Sequence, residues 1–158
     1  MFLTTRCRYA VMALLDMMQM QKNESADAKI SQNFSLTKIA ERQGISVSYL
    51  EQLFLQLKRS GILRSIKGPG GGYAFAKDPD KIMLYDVLSA VGEKIGMIKC
   101  SAGPESCNNM SGKCIAHKLW AHLDDHVSGY FSSISLDDII NGKFANTKTH
   151  KYDQVTQE

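Results

Sequence analysis

Apolar residues recur at helical spacing along most of the chain and alternate at strand spacing in one short stretch. Tyr9, Val11, Met12, Leu14, Leu15 and Met18 are dense enough to predict a mostly buried helix over 8–20, capped by Thr4 or Thr5. Residues 21–34, QKNESADAKISQNF, are polar and aperiodic and read as a loop. A helix is predicted over 36–43, with Ser35 as N-cap and Gly44 as its stop. Another follows over 47–60, capped by Ser46 and closed at Gly61, with Val47, Leu50, Leu53, Phe54 and Leu57 on its apolar side. Ile62–Ile66 and Tyr73–Ala76 are β-capable runs around Lys67-Gly68-Pro69-Gly70-Gly71-Gly72, the pattern of a hairpin. A short helix is expected over 84–91. Residues 96–113 are rich in Gly, Ser, Asn and Cys and form a loop that something other than a core must order. Ile115, Leu119, Leu123, Val127 and Phe131 recur every four residues and predict an amphipathic helix over 115–132, flanked by Trp120 and Tyr130. Ser135 caps a last helix closed by Gly142, and beyond Lys143 the polar chain reads as a disordered tail.

The segment LTKIAERQGISVSYLEQLF within this pattern has the requirements of a helix-turn-helix. Its first helix is apolar at Leu36, Ile39 and Ala40, where a small residue lets two helices cross. Gly44 supplies a turn residue tolerant of positive φ. The second helix is polar outside at Ser46, Ser48, Tyr49, Glu51 and Gln52, side chains able to bond base edges or phosphates in a major groove. Glu51 suits a cytosine amine and Gln52 an adenine. The hairpin then reads as a wing, with Lys67 at its tip and Lys58, Arg59 and Arg64 near phosphates. The expected fold is mainly α: a winged helix-turn-helix with a short β-hairpin wing and a long C-terminal helix. The expected division is 1–92 for DNA binding (helix-turn-helix 36–60, wing 62–76), 93–117 for the cysteine loop, 115–142 for the long helix and the last short one, and 143–158 for the tail.

Charge sharpens this division. The 158 residues carry a formal +3, but residues 1–81 hold twelve Lys/Arg against seven Asp/Glu, and residues 82–158 hold seven against nine. An anionic partner is therefore expected to meet the first half. No apolar run reaches the roughly 18 residues of a membrane helix. Arg6, Arg8 and Asp16 interrupt the one stretch that resembles a signal peptide, so a cytoplasmic protein is expected.

In a reducing compartment, clustered cysteines point to metal or redox chemistry rather than disulfides. The pattern Cys100-x6-Cys107-x6-Cys114-x2-His117 supplies three thiolates and an imidazole, the number of donors that a tetrahedral zinc or a 2Fe-2S cluster needs. Ligand count leaves the choice between them open. Cys7 reads as a semi-buried bystander. His122 and His126 share a helix face but have no evident third ligand, and His150 lies in the tail. GPGGG opens no helix and lacks a Walker lysine, and there is no G-x-S-x-G elbow, so no enzyme is expected.

The stretches LTTRCRYAVMALLDM, IAERQGISVSYLEQLF, GPGGGY and Cys114-Ile-Ala-His117-Lys-Leu-Trp120 resemble the Rrf-type family of bacterial winged-helix regulators, in particular its iron–sulfur-sensing members, over residues 3 to about 142. The resemblance implies a homodimer with crossing long helices, in which Leu119, Leu123, Val127 and Phe131 dimerise, and a palindromic double-stranded DNA operator. It implies a 2Fe-2S cluster on Cys100, Cys107, Cys114 and His117, and control of cluster-assembly genes. Ser48 and Gln52 match base-contacting positions and Tyr49 a neighbouring one. Glu51 matches a residue that rejects one class of site when the cluster is absent. The chain departs from the family in its x6 gaps, where x5 is usual, in Lys67 for arginine, in Cys7 for glycine, and in a longer loop after the first helix. Two other functions stay open: a nitric oxide or redox sensor of the same family, against which His117 argues, and a zinc-stabilised interaction module, against which the basic segment 34–75 argues.

Overall fold

The computed structural model describes residues 3–24, 33–68, 70–93, 95 and 115–143. Helix α1 runs Thr5–Glu24, longer at both ends than its apolar stripe. Thr4 Oγ1 accepts the Cys7 N–H at 3.4 Å, so the helix starts at its cap, and Arg6, Arg8, Gln19 and Gln21 are helix formers that need no apolar neighbour to continue it. Ala10, Ala13, Leu14 and Met17 are fully buried, the i, i+3, i+4, i+7 face of a core helix. Asp16 is buried on the same helix. Its carboxylate is satisfied by Arg42 of the next helix, with Nη2 at 2.7 Å and Nε at 3.1 Å from both oxygens.

Helices α2 (Leu36–Gln43) and α3 (Val47–Arg59) pack against α1. Gly44 lies between them at φ 63°, where the Ile45 N–H reaches Ala40 O at 3.0 Å and turns the chain back. Ser35 and Ser46 occupy the expected N-cap positions with extended backbone, but neither hydroxyl accepts a helix N–H. Ser35 is partly open and Ser46 open to solvent, so the first-turn amides are not sealed from water. Leu50, Leu53, Phe54 and Leu57 bury the inner side of α3. At its far end, Gly61 N–H bonds Lys58 O and Ile62 N–H bonds Leu57 O, a double closure that draws Ile62 into the core.

Ile62 is thus taken into a cap, so the wing strands are β1 (Leu63–Ile66) and β2 (Gly72–Phe75), antiparallel with Leu63 opposite Phe75 and Ile66 opposite Gly72. Phe34 belongs to this unit and not to a polar loop. It exchanges both backbone bonds with Tyr73, at 2.8 and 3.0 Å, and its side chain is buried. A Cβ on Gly72 would stand 2.5 Å from Phe34 O, so this pairing requires glycine there.

A 3-10 turn (Pro79–Lys81) and α4 (Leu84–Ala90) follow. Helix α5 runs His117–Ser132 and α6 Leu136–Ile140. Ile115 precedes α5, which starts at His117 after Ala116, and is fully exposed instead of starting its stripe. The chain after α5 returns to the main body. Leu84 N–H bonds Ile134 O and Leu136 N–H bonds Ile82 O, while the Leu136 side chain is fully buried in the same core as α1, α3 and α4. The expected Ser135 cap is present: its Oγ accepts the Asp138 N–H at 3.0 Å, and its N–H donates to the Asp138 carboxylate at 3.1 Å. The tail after Lys143 lies outside the described residues.

Candidate nucleic-acid interface and metal centre

The candidate reading surface is the outer of the two sides of α3. Ser48, Glu51, Gln52, Leu55 and Arg59 are exposed, opposite the four buried side chains that anchor the helix. Val47, expected on the apolar side, is exposed as the first residue of α3. Tyr49, expected on the outer face, is half-buried. Its ring stands edge-on to Tyr9 of α1, with centroids 6.0 Å apart and planes at 83°. A Tyr at this position is aimed sideways by its own helix, and an apolar ring nearby offers it better burial than water does. Lys58 and Arg59 at the end of α3 and Lys67 at the wing tip all reach solvent. Arg64 is exposed but tethered, its Nε donating to Phe75 O at 3.3 Å across the hairpin. The inner edge of the wing is held by Phe54 and Tyr73, ring centroids 5.0 Å apart and edge-to-face. Helix and wing are thus mounted on one rigid core, with a polar helix face and cationic ends presented outward.

Of the four expected ligands, Cys100, Cys107 and Cys114 lie outside the described residues. His117 is the first residue of α5, and its Nδ1 is buried with no hydrogen-bond partner among the described residues. A buried imidazole nitrogen without a partner is costly, and ligation is one way to satisfy it. The donor set fits a cluster or a zinc ion in kind: soft thiolates with one nitrogen. Among the described residues, no three His, Cys, Asp or Glu side chains converge as a metal would require.

His122 and His126 are both exposed. The His126 Nδ1 sits 2.8 Å from the His122 carbonyl oxygen, so the pair bonds along the helix. Cys7 is buried in the main core. Burial pushes its thiol up to about 12, and the negative charge of Glu93 and a hydrogen bond to it add to the effect. It is a neutral thiol at physiological pH, which suits a bystander and not a metal ligand. The pattern along the sequence could not show what surrounds it: Glu93 also accepts a hydrogen bond from the Thr4 hydroxyl, tying the start of α1 to the residues after α4.

The Rrf2 family, described as an iron-dependent transcriptional regulator, matches residues 3–142. The HTH-type transcriptional regulator IscR of Photorhabdus laumondii is 41% identical over 143 residues, 90% of this chain and 81% of that protein. The protein of the same name from Escherichia coli O1:K1 is 41% identical, over 90% and 82% respectively. Among solved structures, T. potens IscR superimposes with a TM-score of 0.65 at 25% identity, over 100% of this chain and 94% of that one. CymR, the global cysteine regulator of B. subtilis, does so with a TM-score of 0.67 at 26% identity, over 90% and 98%. The chain belongs to the Rrf2 family: it is a DNA-binding transcriptional regulator of the IscR type, and not an enzyme.

Proposed function

We propose that the chain is a cytoplasmic, homodimeric repressor that senses iron–sulfur cluster status and controls cluster-assembly genes. In this reading, residues 1–92 bind DNA, 93–117 hold a 2Fe-2S cluster, 115–142 dimerise, and each protomer reads half of a palindromic operator. Ser48, Glu51 and Gln52 meet base edges, Tyr49 supports them from the side, and Arg59 and Lys67 meet phosphates.

The observation that carries the sensing role is His117 Nδ1, three residues after Cys114 and buried without a partner among the described residues. His117, Cys100, Cys107 and Cys114 would hold the cluster, which supplies a redox-sensitive, iron-dependent crosslink among them. The chain's own part is linkage: ordering residues 96–117 biases the orientation of α3. A chain of contacts suited to this runs from Glu93 to Thr4 at the start of α1, and from Tyr9 on α1 to Tyr49 on α3.

Iron and acid-labile sulfide analysis of anaerobically purified protein tests the proposal, together with its visible spectrum. Equal iron and sulfide with visible absorbance is expected, and His117→Ala should shift that spectrum and weaken cluster retention. Stoichiometric zinc with no visible absorbance after reconstitution would overturn it.

A further inference from the structure

One residue on the outward side of α3 does not fit the polar character of its neighbours. Leu55 is 45% exposed and takes no part in the core. At roughly 100° per residue, it lies about 20° from Ser48 and about 40° from both Glu51 and Arg59, with Gln52 about 60° away. Leu53 and Leu57 point almost directly away from it on the same helix. Leu55 is therefore near the centre of the outer face, among side chains that are all polar. It is not among the described side chains that pack against the core, and the apolar surface it leaves in water gains nothing from the fold.

A major groove offers such a side chain one apolar partner: the 5-methyl group of thymine. Hydrogen-bonding side chains read the other base edges. We propose that Leu55 is a specificity-determining residue that selects thymine by packing on this methyl group, at one position in each half-site. The proposal rests on α3 being the reading helix. It assigns the central contact to dispersion and water exclusion, with Ser48, Glu51 and Gln52 reading the flanking positions.

The test uses the full-length protein and a random duplex pool. Binding sites are selected for the parent, Leu55→Ser and Leu55→Ala. Each selected thymine is then replaced singly by deoxyuridine, which removes only the methyl group. The parent should prefer thymine at one position per half-site and lose about fourfold in affinity on its replacement there, the effect of one buried methyl group. Both variants should bind thymine and uracil equally at that position, with unchanged preferences elsewhere and unchanged thermal unfolding. Parent-like discrimination in both variants would overturn the proposal while leaving the reading helix in place, as would a parent indifferent to every methyl group. A parent that binds all duplexes alike, with affinity set by salt alone, would overturn the reading-helix assignment and this proposal with it.

Discussion

Helices α3 and α5 are both amphipathic in sequence, yet the fold uses them in opposite ways. Helix α3 buries Leu50, Leu53, Phe54 and Leu57 within its own chain and leaves a mainly polar outer face. Helix α5 is longer, but its one buried residue among those described is Asp124. Leu119 is 63% exposed, and Trp120 and Tyr130 also reach solvent. The stripe on α5 is moreover divided: Val127 and Phe131 pack against the chain's own core, while its first half does not. Apolar periodicity shows that a face will be covered, but not by which chain. For α3 the cover is intramolecular. For the start of α5, the proposed dimer would supply it.

The largest effect expected from this contrast is at Phe54. Phe54→Ala removes a fully buried ring packed on Tyr73 and should cost about 3–5 kcal/mol, read from the urea midpoint. Leu119→Ala should stay within about 0.5 kcal/mol at protein concentrations where the chain is monomeric. A Leu119→Ala loss as large as that of Phe54→Ala would break the contrast.

Leu119→Glu should move the dimer–monomer equilibrium by at least about tenfold toward monomer in sedimentation velocity, by placing a charge in the apolar contact. The far-ultraviolet circular dichroism spectrum should not change. An unchanged association state would remove α5 from the interface.

A smaller effect is expected at the cap of α6. Ser135→Ala should cost about 1 kcal/mol near neutral pH. The Ser135 hydroxyl and N–H hold the Asp138 carboxyl below its ordinary value, so the folded state binds that proton less readily than the unfolded one. The stabilisation is therefore present above the ordinary carboxylate range and lost as pH falls through the lowered value. The gap between parent and variant in thermal unfolding should narrow from pH 7 to below about 4. In an NMR titration, Asp138 of the variant should move up toward the ordinary range.

The helix-turn-helix was legible because each requirement falls on a residue whose chemistry allows little else. Gly44 takes a left-handed turn, and Leu50, Leu53 and Leu57 repeat at helical spacing. The capping box of Ser135 and Asp138 was half legible, from the serine alone. The bridge of Phe34 to Tyr73 was not, since a one-residue pairing has no period and depends on the missing Cβ of Gly72. Tyr49 was misplaced for a similar reason. Its helical angle is intermediate, and only the ring of Tyr9 decides its direction. The donor set proposed at the cysteine loop comes from side-chain chemistry alone, while the buried Nδ1 of His117, without a partner among the described residues, has no signal in the sequence pattern.

The backbone bonds that tie Ile134 and Leu136 to Leu84 and Ile82 fix one end of α5 to the core that carries α3. The 16 residues of α5 then extend about 24 Å from that anchor to His117. In a dimer formed through α5, the joint at 133–135 is the origin from which the separation of the two reading helices is measured. Inserting one residue there would change how α5 leaves the core that carries α3, and with it the half-site spacing, with every side chain of α3 left in place.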